Sequence, residues 1–481
     1  MAEAIVRSVR RVRPDLGFIV VSTENAYVDD PTVRWMDLAA LQHATYNPEA
    51  IAACPQPLVN AMACYEIIAL KCMDKLSKIT NLRVATILSN HAGRSMDTSY
   101  GYRRAVYLRH LGFWDRVFDH EQVIGAVFTN IPHVSLDYVV YGLCKVREIP
   151  VLTFEDVSHF GCVIPRHCVE SLPSETLAAL RRPGDAPLSD FARAKIEHMS
   201  QKNCDPHPHY MSHSTFGGFS FHNYRNSLRP TARSIIRSLL APPPEKKTHN
   251  ELIRKYLKKE KFINAALTRC QTQVDLGRRY VYVPLSVQPE LSTAPLAGAF
   301  VDQINLIRLL VECLPEDVAV YVKEHPAQGA ISRNPEEYYE IADIPRVSLC
   351  ETGVSTFTLI RNALAVATCT GTAGIEALFQ GKPALFFGEC AFSYAPGAHA
   401  IRTRQDCQQA IDAILAGEKP DIARLHAFVS ALEGVGVRAK IAAIDDYHRN
   451  QLGLSQQDNA RILSDITARW VADTQAKAKK E

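Results

Sequence analysis

Three polar clusters in the second half of the chain have the residue types needed to hold a phosphate-bearing substrate. The first is Gln288-Pro289-Glu290, followed closely by Ser292 and Thr293. Glutamine both donates and accepts hydrogen bonds, and Glu290 can orient a hydroxyl or act as a charged catalytic group. The same tripeptide also describes a polar loop with a proline turn. The second cluster is Lys323-Glu324-His325-Pro326, at the end of a strongly apolar run. Lys323 and His325 are cationic or proton-switchable groups suited to a phosphate, and the proline fixes the turn that aims them. Side chains alternate along a strand, so Lys323 and His325 share one side and Glu324 takes the other. Solvated charges at a strand end are the competing account. The third cluster is Thr370-Gly371-Thr372-Ala373-Gly374-Ile375-Glu376. Small residues let a ligand approach the backbone, and the N–H groups and dipole of a helix start favour a phosphate. Thr370 and Thr372 add hydroxyls. Glu376 can reach ribose or sugar hydroxyls, or be an exposed first-turn carboxylate. A tight strand–helix packing corner is the competing account of this cluster.

The first half carries fainter clusters. Asn130-Ile131-Pro132-His133 and Phe154-Glu155-Asp156-Val157-Ser158-His159 each follow a strand-like run, and Asn90-His91-Ala92-Gly93-Arg94 resembles them. Adjacent acids with a histidine at a sheet edge suit a general base that activates a hydroxyl. Helix caps and loop polar groups explain them about as well, and His167 and Cys162 have no stronger claim. His207, His209, His213 and His222 fall in a stretch with Pro206, Pro208 and Gly217-Gly218, which reads as a polar surface loop rather than a metal cluster.

Strands must place these groups. Apolar runs at 18–22, 83–89, 126–129 and 149–154 alternate with helical stretches in the first half. Asp137–Val146 is the helix of a parallel βαβ unit, with Tyr138, Tyr141 and Leu143 at apolar positions. In the second half, runs at 279–285, 318–323, 363–370 and 383–387 read as strands. Phe300, Ile304, Ile307, Val311 and Leu314 mark one buried helix face. In such open sheets ligands bind beyond the carboxyl ends of the strands, which is where the three clusters fall. The expected layout is a first domain over 1–240, a linker with a basic helix over 241–275, a second domain over 276–420 and C-terminal helices over 421–481. Within the linker, Pro242-Pro243-Pro244 is stiff and solvated, and the basic run 254–261 is a solvated face or a contact for anionic lipid or glycan.

Composition supports a two-domain globular chain. It has 481 residues, 47% hydrophobic and 22% charged, with a formal net charge of +3. That small excess gives no case for a nucleic-acid partner. Thirteen scattered cysteines without a CxxC pair fit reduced thiols, and no metal-ligand spacing is present. With neither a signal-peptide core nor an apolar run of about 20 residues, the expectation is a soluble cytoplasmic protein, with peripheral membrane contact left open.

The segments 283–290, 321–326 and 371–383 resemble bacterial capsular-polysaccharide biosynthesis proteins, a group that includes Kdo transferases with paired Gln-Pro and His-Pro motifs. The resemblance covers about residues 280–390 and extends more loosely to 130–154. It implies an α/β GT-B architecture, two Rossmann-like domains facing across a cleft. The C-terminal domain would hold a nucleotide sugar, and the N-terminal domain would present a surface-glycan or lipid-linked acceptor. Bacterial sialyltransferases also place a His-Pro motif at the nucleotide phosphate, which favours a CMP-sugar donor contacted by His325, Thr370 and Thr372. Those enzymes carry an acidic pair followed by Gly, whereas Glu155-Asp156 here is followed by Val157. The donor group is then Gln288, Lys323, Glu324, His325, Thr370, Gly371, Thr372 and Glu376. The candidate catalytic groups are Glu155, Asp156, Glu290 and His325. In an inverting transfer Glu155 or Asp156 would be the acceptor base; in a retaining one Glu290 or Glu324 becomes relevant. No cofactor or metal is implied, since protein dipoles and cations can stabilise the leaving phosphate. A nucleotide-sugar epimerase or hydrolase of the same fold is the alternative enzyme. A non-catalytic sugar-binding subunit of a capsule-assembly complex is the alternative from another class.

Overall fold

The computed structural model describes residues 1–22, 30–37, 54–72, 100–133, 135–182, 184, 186–200, 261–288, 290–325, 328, 333–441 and 452–478. Several of the features above lie outside the described residues: Pro289, Pro326, the run 83–89 with Asn90–Arg94, the loop with His207, His209, His213 and His222, the proline-rich linker, and the basic stretch up to 260. The chain forms two compact units. One comprises Met1–Leu70, Ser99–Lys195 and Val429–Glu481; the other comprises Lys71–Thr98 and Ile196–Phe428.

In the first unit, α1 (Ala2–Val12) precedes a parallel pair, β1 (Phe18–Ser22) and β2 (Val33–Asp37). After two short helices at Gln56–Ala61 and Ala63–Cys72 come α2 (Tyr100–Glu121), β3 (Ala126–Val127), α3 (Ser135–Val146) and β4 (Val151–Val157). β3 and β4 pair in parallel, with Ala126 opposite Val151. The expected βαβ unit is therefore present, and Tyr138, Tyr141 and Leu143 of α3 are buried. The chain does not then cross over through another helix. A 3-10 turn at Ser158–Phe160 ends on Gly161 at φ +66°, a backbone conformation open to glycine without steric cost. The chain turns back as β5 (Cys162–Arg166), antiparallel to β4. A short strand at Val437–Arg438 extends this sheet, also antiparallel. Leu152, Phe154 and Val163 pack with Ala439, Ile441, Leu463 and Ile466 from the end of the chain. The described part of this unit thus holds the parallel pair β1–β2 and a mixed sheet around one βαβ unit, whose antiparallel strand follows the turn at Gly161. The residues beyond 420, read as helical, also supply a strand.

The second unit holds a seven-stranded sheet. Its strands are β6 (Gln271–Thr272), β7 (Tyr280–Pro284), β8 (Ala319–Lys323), β9 (Val347–Cys350), β10 (Ala365–Thr368), β11 (Ala384–Phe386) and β12 (Ala398–Ala400), in the order β12-β11-β10-β7-β8-β9-β6. Every pairing is parallel. The helices α4 (Gln303–Cys313), α5 (Pro335–Asp343), α6 (Thr356–Asn362), α7 (Thr372–Phe379) and α8 (Arg404–Leu415) follow β7, β8, β9, β10 and β12. The sequence of β7, Tyr-Val-Tyr-Val, shows how they divide. Val281 and Val283, with Val320 and Val322 of β8, pack against α4, α5 and α8. Tyr280 and Tyr282, with Tyr321, pack against α6 and α7 on the other face. A sheet covered on both faces accounts for the near-continuous apolar runs. The chain moves outward from β7 through β8 to β9, then returns to β10 on the other side of β7. The strand order therefore reverses between β7 and β10, which opens a crevice at their carboxyl ends.

One buried cation braces that edge. Arg333 is 1% exposed. Its Nε donates to Glu324 Oε2 at 2.6 Å, and its other nitrogens reach Glu337 and the Ser286 carbonyl. Tyr338 Oη donates to Glu324 Oε2 at 2.9 Å, and the His325 amide donates to Glu324 Oε1 at 2.6 Å. Removing one partner of such a pair strands the other charge, which costs about 3–5 kcal/mol. Arg333→Met should lower the unfolding free energy in urea by about that amount, and adding Glu324→Gln should recover part of it.

In the first unit, α2 buries His110 completely. Burial disfavours the charged ring and lowers its pKa from 6.5 to about 3. Below pH 6.5 the unfolded chain takes up a proton that the native ring refuses. Stability should therefore be full above 6.5 and decline as pH falls toward 3, by up to about 1.4 kcal/mol per pH unit. Denaturation at stepped pH measures this slope, and His110→Phe should reduce it.

Candidate functional site

The segment after β7 leaves the ladder and is held by side-chain amides. Ser286 N donates to Gln303 Oε1 at 2.7 Å, and Gln303 Nε2 donates back to the Ser286 carbonyl at 3.0 Å. Two residues on, Gln288 N donates to Gln328 Oε1 at 2.9 Å, and Gln328 Nε2 donates to the Gln288 carbonyl at 3.1 Å. Each glutamine thus stands in for a neighbouring strand, satisfying one N–H and one C=O that burial would otherwise leave unpaired. The Gln288 side chain accepts from Gln303 at 3.1 Å. Gln328 N also donates to the His325 carbonyl at 2.9 Å, so Gln328 ties the His325 segment to Gln288.

Across the crevice, β10 runs into α7 through Thr370 and Gly371. Gly371 is the N-cap and offers no side chain to cap the first turn. Its own amide donates to Thr368 Oγ1 at 3.2 Å. A Cβ at Gly371 would lie 2.6 Å from Thr368 Oγ1 and 3.9 Å from Ser286 Oγ, so only glycine fits between the two strand ends. Ser286 Oγ is itself buried and makes no hydrogen bond with the described residues. Thr370 Oγ1 donates to the Ser292 carbonyl at 3.3 Å, fastening this turn to the loop after β7. The N-cap of α7 therefore sits beside Ser286, at the point where the strand order reverses.

The remaining candidates divide by role. Lys323 is buried, and its Nζ donates to the Val354 carbonyl at 2.5 Å and to Thr356 Oγ1 at 3.3 Å, on the α6 face. Burial pulls its pKa below the ordinary lysine value. Glu324 faces α5 instead, as strand alternation requires, and is occupied by Arg333, Tyr338 and the His325 amide. Both are thus bonded within the protein: Lys323 adds positive potential to the edge, and Glu324 anchors it. Half-buried His325 has its pKa lowered mainly by burial, so the neutral imidazole is favoured. Glu290 Oε2 accepts from the Leu291 amide at 3.0 Å, and the Glu290 carbonyl accepts from the amides of Thr293 and Ala294, which makes it a turn former. Glu376 differs: low-polarity surroundings raise its carboxyl to about 7, and a hydrogen bond from Thr372 opposes that rise. It is poised between protonation states at neutral pH.

Glu155 and Asp156 lie in the first unit on β4. Glu155 Oε2 accepts from the fully buried Arg166 at 2.7 Å, and Asp156 pairs with Lys440 at 3.1 Å. This acidic pair is therefore part of an ion-pair framework with Arg166 and Lys440. Sequence reasoning passed over Ser286, Gln303, Gln328 and Arg333. They are scattered in the chain, and a lone glutamine or arginine carries no periodic signal. Among the described residues no group of three or more His, Cys, Asp and Glu is placed to hold a metal, and no helix is long and apolar enough to cross a membrane.

Residues 278–410, which include β7 to β12, match the family model described as "Capsule polysaccharide biosynthesis protein". Over 135 residues the chain is 31% identical to Protein FixF of Sinorhizobium fredii (strain NBRC 101917 / NGR234). That alignment covers 27% of this chain and 31% of the relative, so the chain spans about a third of that curated protein's length. Solved structures with which it aligns include UDP-GlcNAc 2-epimerase from Methanocaldococcus jannaschii, at 13% identity over 68% of this chain and 78% of the other, with TM-score 0.25. A second is a putative UDP-N-acetylglucosamine 2-epimerase from Listeria monocytogenes, at 12% identity over 80% and 92% of the two chains, with TM-score 0.23. The likeness that bears on the site is the one over residues 278–410: the sheet carrying the three clusters is similar to capsule-polysaccharide-biosynthesis proteins.

Proposed function

We propose that this chain is an enzyme acting on a nucleotide sugar in the synthesis of a capsule-type polysaccharide, with its donor site at the crevice between β7 and β10. The observation that carries this reading is the uncapped start of α7, set beside Ser286 where the strand order reverses. Helix-start amides and dipole favour a phosphate there. Thr370 and Thr372 add hydroxyls, His325 approaches through Gln328, and buried Lys323 supplies positive potential. When the bond between sugar and phosphate breaks, negative charge grows on the phosphate, and preorganised donors at that spot lower the barrier. Gln288 positions the base or sugar.

Two chemistries share this donor half. In glycosyl transfer the sugar passes to a glycan or lipid-linked acceptor. In epimerisation or hydrolysis the nucleotide sugar reacts without one. The second gains support from the carboxylates: Glu376, on the donor side, is the acid tuned to exchange a proton near neutrality, whereas Glu155 and Asp156 are held by Arg166 and Lys440. Incubation with CMP- and UDP-sugars separates the two. Nucleotide release that needs an acceptor marks a transferase, and acceptor-free conversion of the sugar marks the other chemistry. A chain that binds none of these donors has no such site.

His325→Ala and Thr372→Ala should each weaken nucleotide-sugar binding about tenfold, roughly 1.4 kcal/mol, in calorimetry, with the thermal midpoint unchanged. Normal binding by both variants would move the donor site elsewhere. The pH dependence follows from Glu376. Below about 7 its carboxyl is protonated and neutral; above that value it ionises and repels the bound phosphate. Affinity for a nucleotide sugar, whose phosphates do not titrate in this range, should fall as pH rises through 7. Glu376→Gln should flatten that dependence while retaining the low-pH affinity.

A further inference from the structure

Away from the candidate site, the second unit carries a helix over 261–270 with two unlike faces. Ile263, Ala266 and Cys270 are buried in the core cluster that also holds Val281 and Ile341, and Leu267 packs against it. These positions follow the spacing of a single helix face, so the core side of the helix is already filled. The opposite side exposes Lys261, Phe262, Ala265, Thr268 and Arg269. Phe262 is 59% exposed, while its sequence neighbour Ile263 is 1% exposed. The fold thus leaves a phenyl ring in water on a face that also carries two cations, and burying that ring elsewhere is favourable.

The charge of the chain is concentrated at the same place. Residues 254–261 hold five basic side chains and one acid, an excess of four, whereas the net charge of all 481 residues is +3. The remainder of the chain is therefore slightly anionic. Of that run, Lys261 is among the described residues, and it lies on the exposed face beside Phe262. We propose that the outer face of the 261–270 helix docks on an anionic lipid bilayer. Phe262 enters the boundary between headgroups and acyl chains, and Lys261 and Arg269 lie against the headgroups.

Cations alone would suit any polyanion. The exposed ring decides for a bilayer, which offers an apolar layer directly beneath its negative charges. The contact is with the surface: among the described residues no helix is long and apolar enough to cross a membrane. Each cation at an anionic surface strengthens partitioning about fivefold, and a buried phenyl ring about tenfold. This docking is independent of the donor chemistry, since the face takes no part in the crevice between β7 and β10.

The test sediments the full chain with lipid vesicles at low salt. Vesicles of phosphatidylcholine with about a quarter phosphatidylglycerol should carry it down, and phosphatidylcholine alone should not. Sodium chloride at about 0.5 M, which shortens the screening distance to about 4 Å, should release most of it. Phe262→Ala should weaken partitioning about tenfold, and Lys261→Glu with Arg269→Glu by at least that much. Thermal midpoints should match the parent's, because all three side chains are exposed. Arg7→Glu with Arg11→Glu makes the same change of net charge on the exposed side of α1 and should alter partitioning less than about twofold. Failure to sediment with the anionic vesicles overturns the proposal. So does equal binding to both kinds of vesicle, or an equal loss in the α1 control. Retention by heparin or single-stranded DNA, with no binding to vesicles at the same salt, assigns the face to another polyanion and overturns it as well.

Discussion

The ion pair between Arg333 and Glu324 sets the conditions for everything at the carboxyl edge of the large sheet. A guanidinium this deeply buried is tolerable only with its charge matched and its donors occupied. Glu324 supplies the charge, and Glu337 and the Ser286 carbonyl take the remaining donors. Because Glu324 immediately follows β8, the same pair fixes where the His325 amide points. Because the Ser286 carbonyl lies just past β7, it also fixes how β7 leaves the sheet. The two central strands are thereby delivered to the crevice in one geometry.

From that anchor the backbone continues by an unusual device. Past Leu285, whose amide still donates to the Lys323 carbonyl of β8, the chain leaves the ladder yet stays buried. Gln303 and Gln328 each clamp one residue through both its N–H and its C=O. Side-chain amides do what a ladder would do without filling the space that a further strand would take. Ser286, held in this way, lies close to Gly371 at the start of α7.

The candidate carboxylates differ in what surrounds them. Glu324, Glu155 and Asp156 each face a cation or a fixed donor, and Glu290 closes a turn. Glu376 alone among these candidates has its proton affinity raised to neutrality, because the helix carrying it lies in low-polarity surroundings. An acid's capacity for proton transfer is a property of its surroundings, and residue type or adjacency in sequence does not report it.

Much of the second unit was legible in the chain. The apolar runs at 279–285, 318–323, 363–370 and 383–387 are strands because a sheet covered on both faces demands continuous hydrophobicity. The turn at Thr370–Thr372 is a helix start because small residues and hydroxyls permit nothing bulkier there. Alternation alone put Lys323 and Glu324 on opposite faces, as their partners in α6 and α5 show. What the chain did not disclose is non-local. The glutamine clamps and the Arg333 pair join residues 9 to 47 positions apart, and the reversal of strand order sets β7 beside the far more distant β10. The antiparallel return after β4 depends on a single turn at Gly161, and Val437–Arg438 joins that sheet from the far end of the chain. Local periodicity records which face of an element is buried. Only tertiary packing decides which distant polar groups burial forces together, and so which residues remain to meet a ligand.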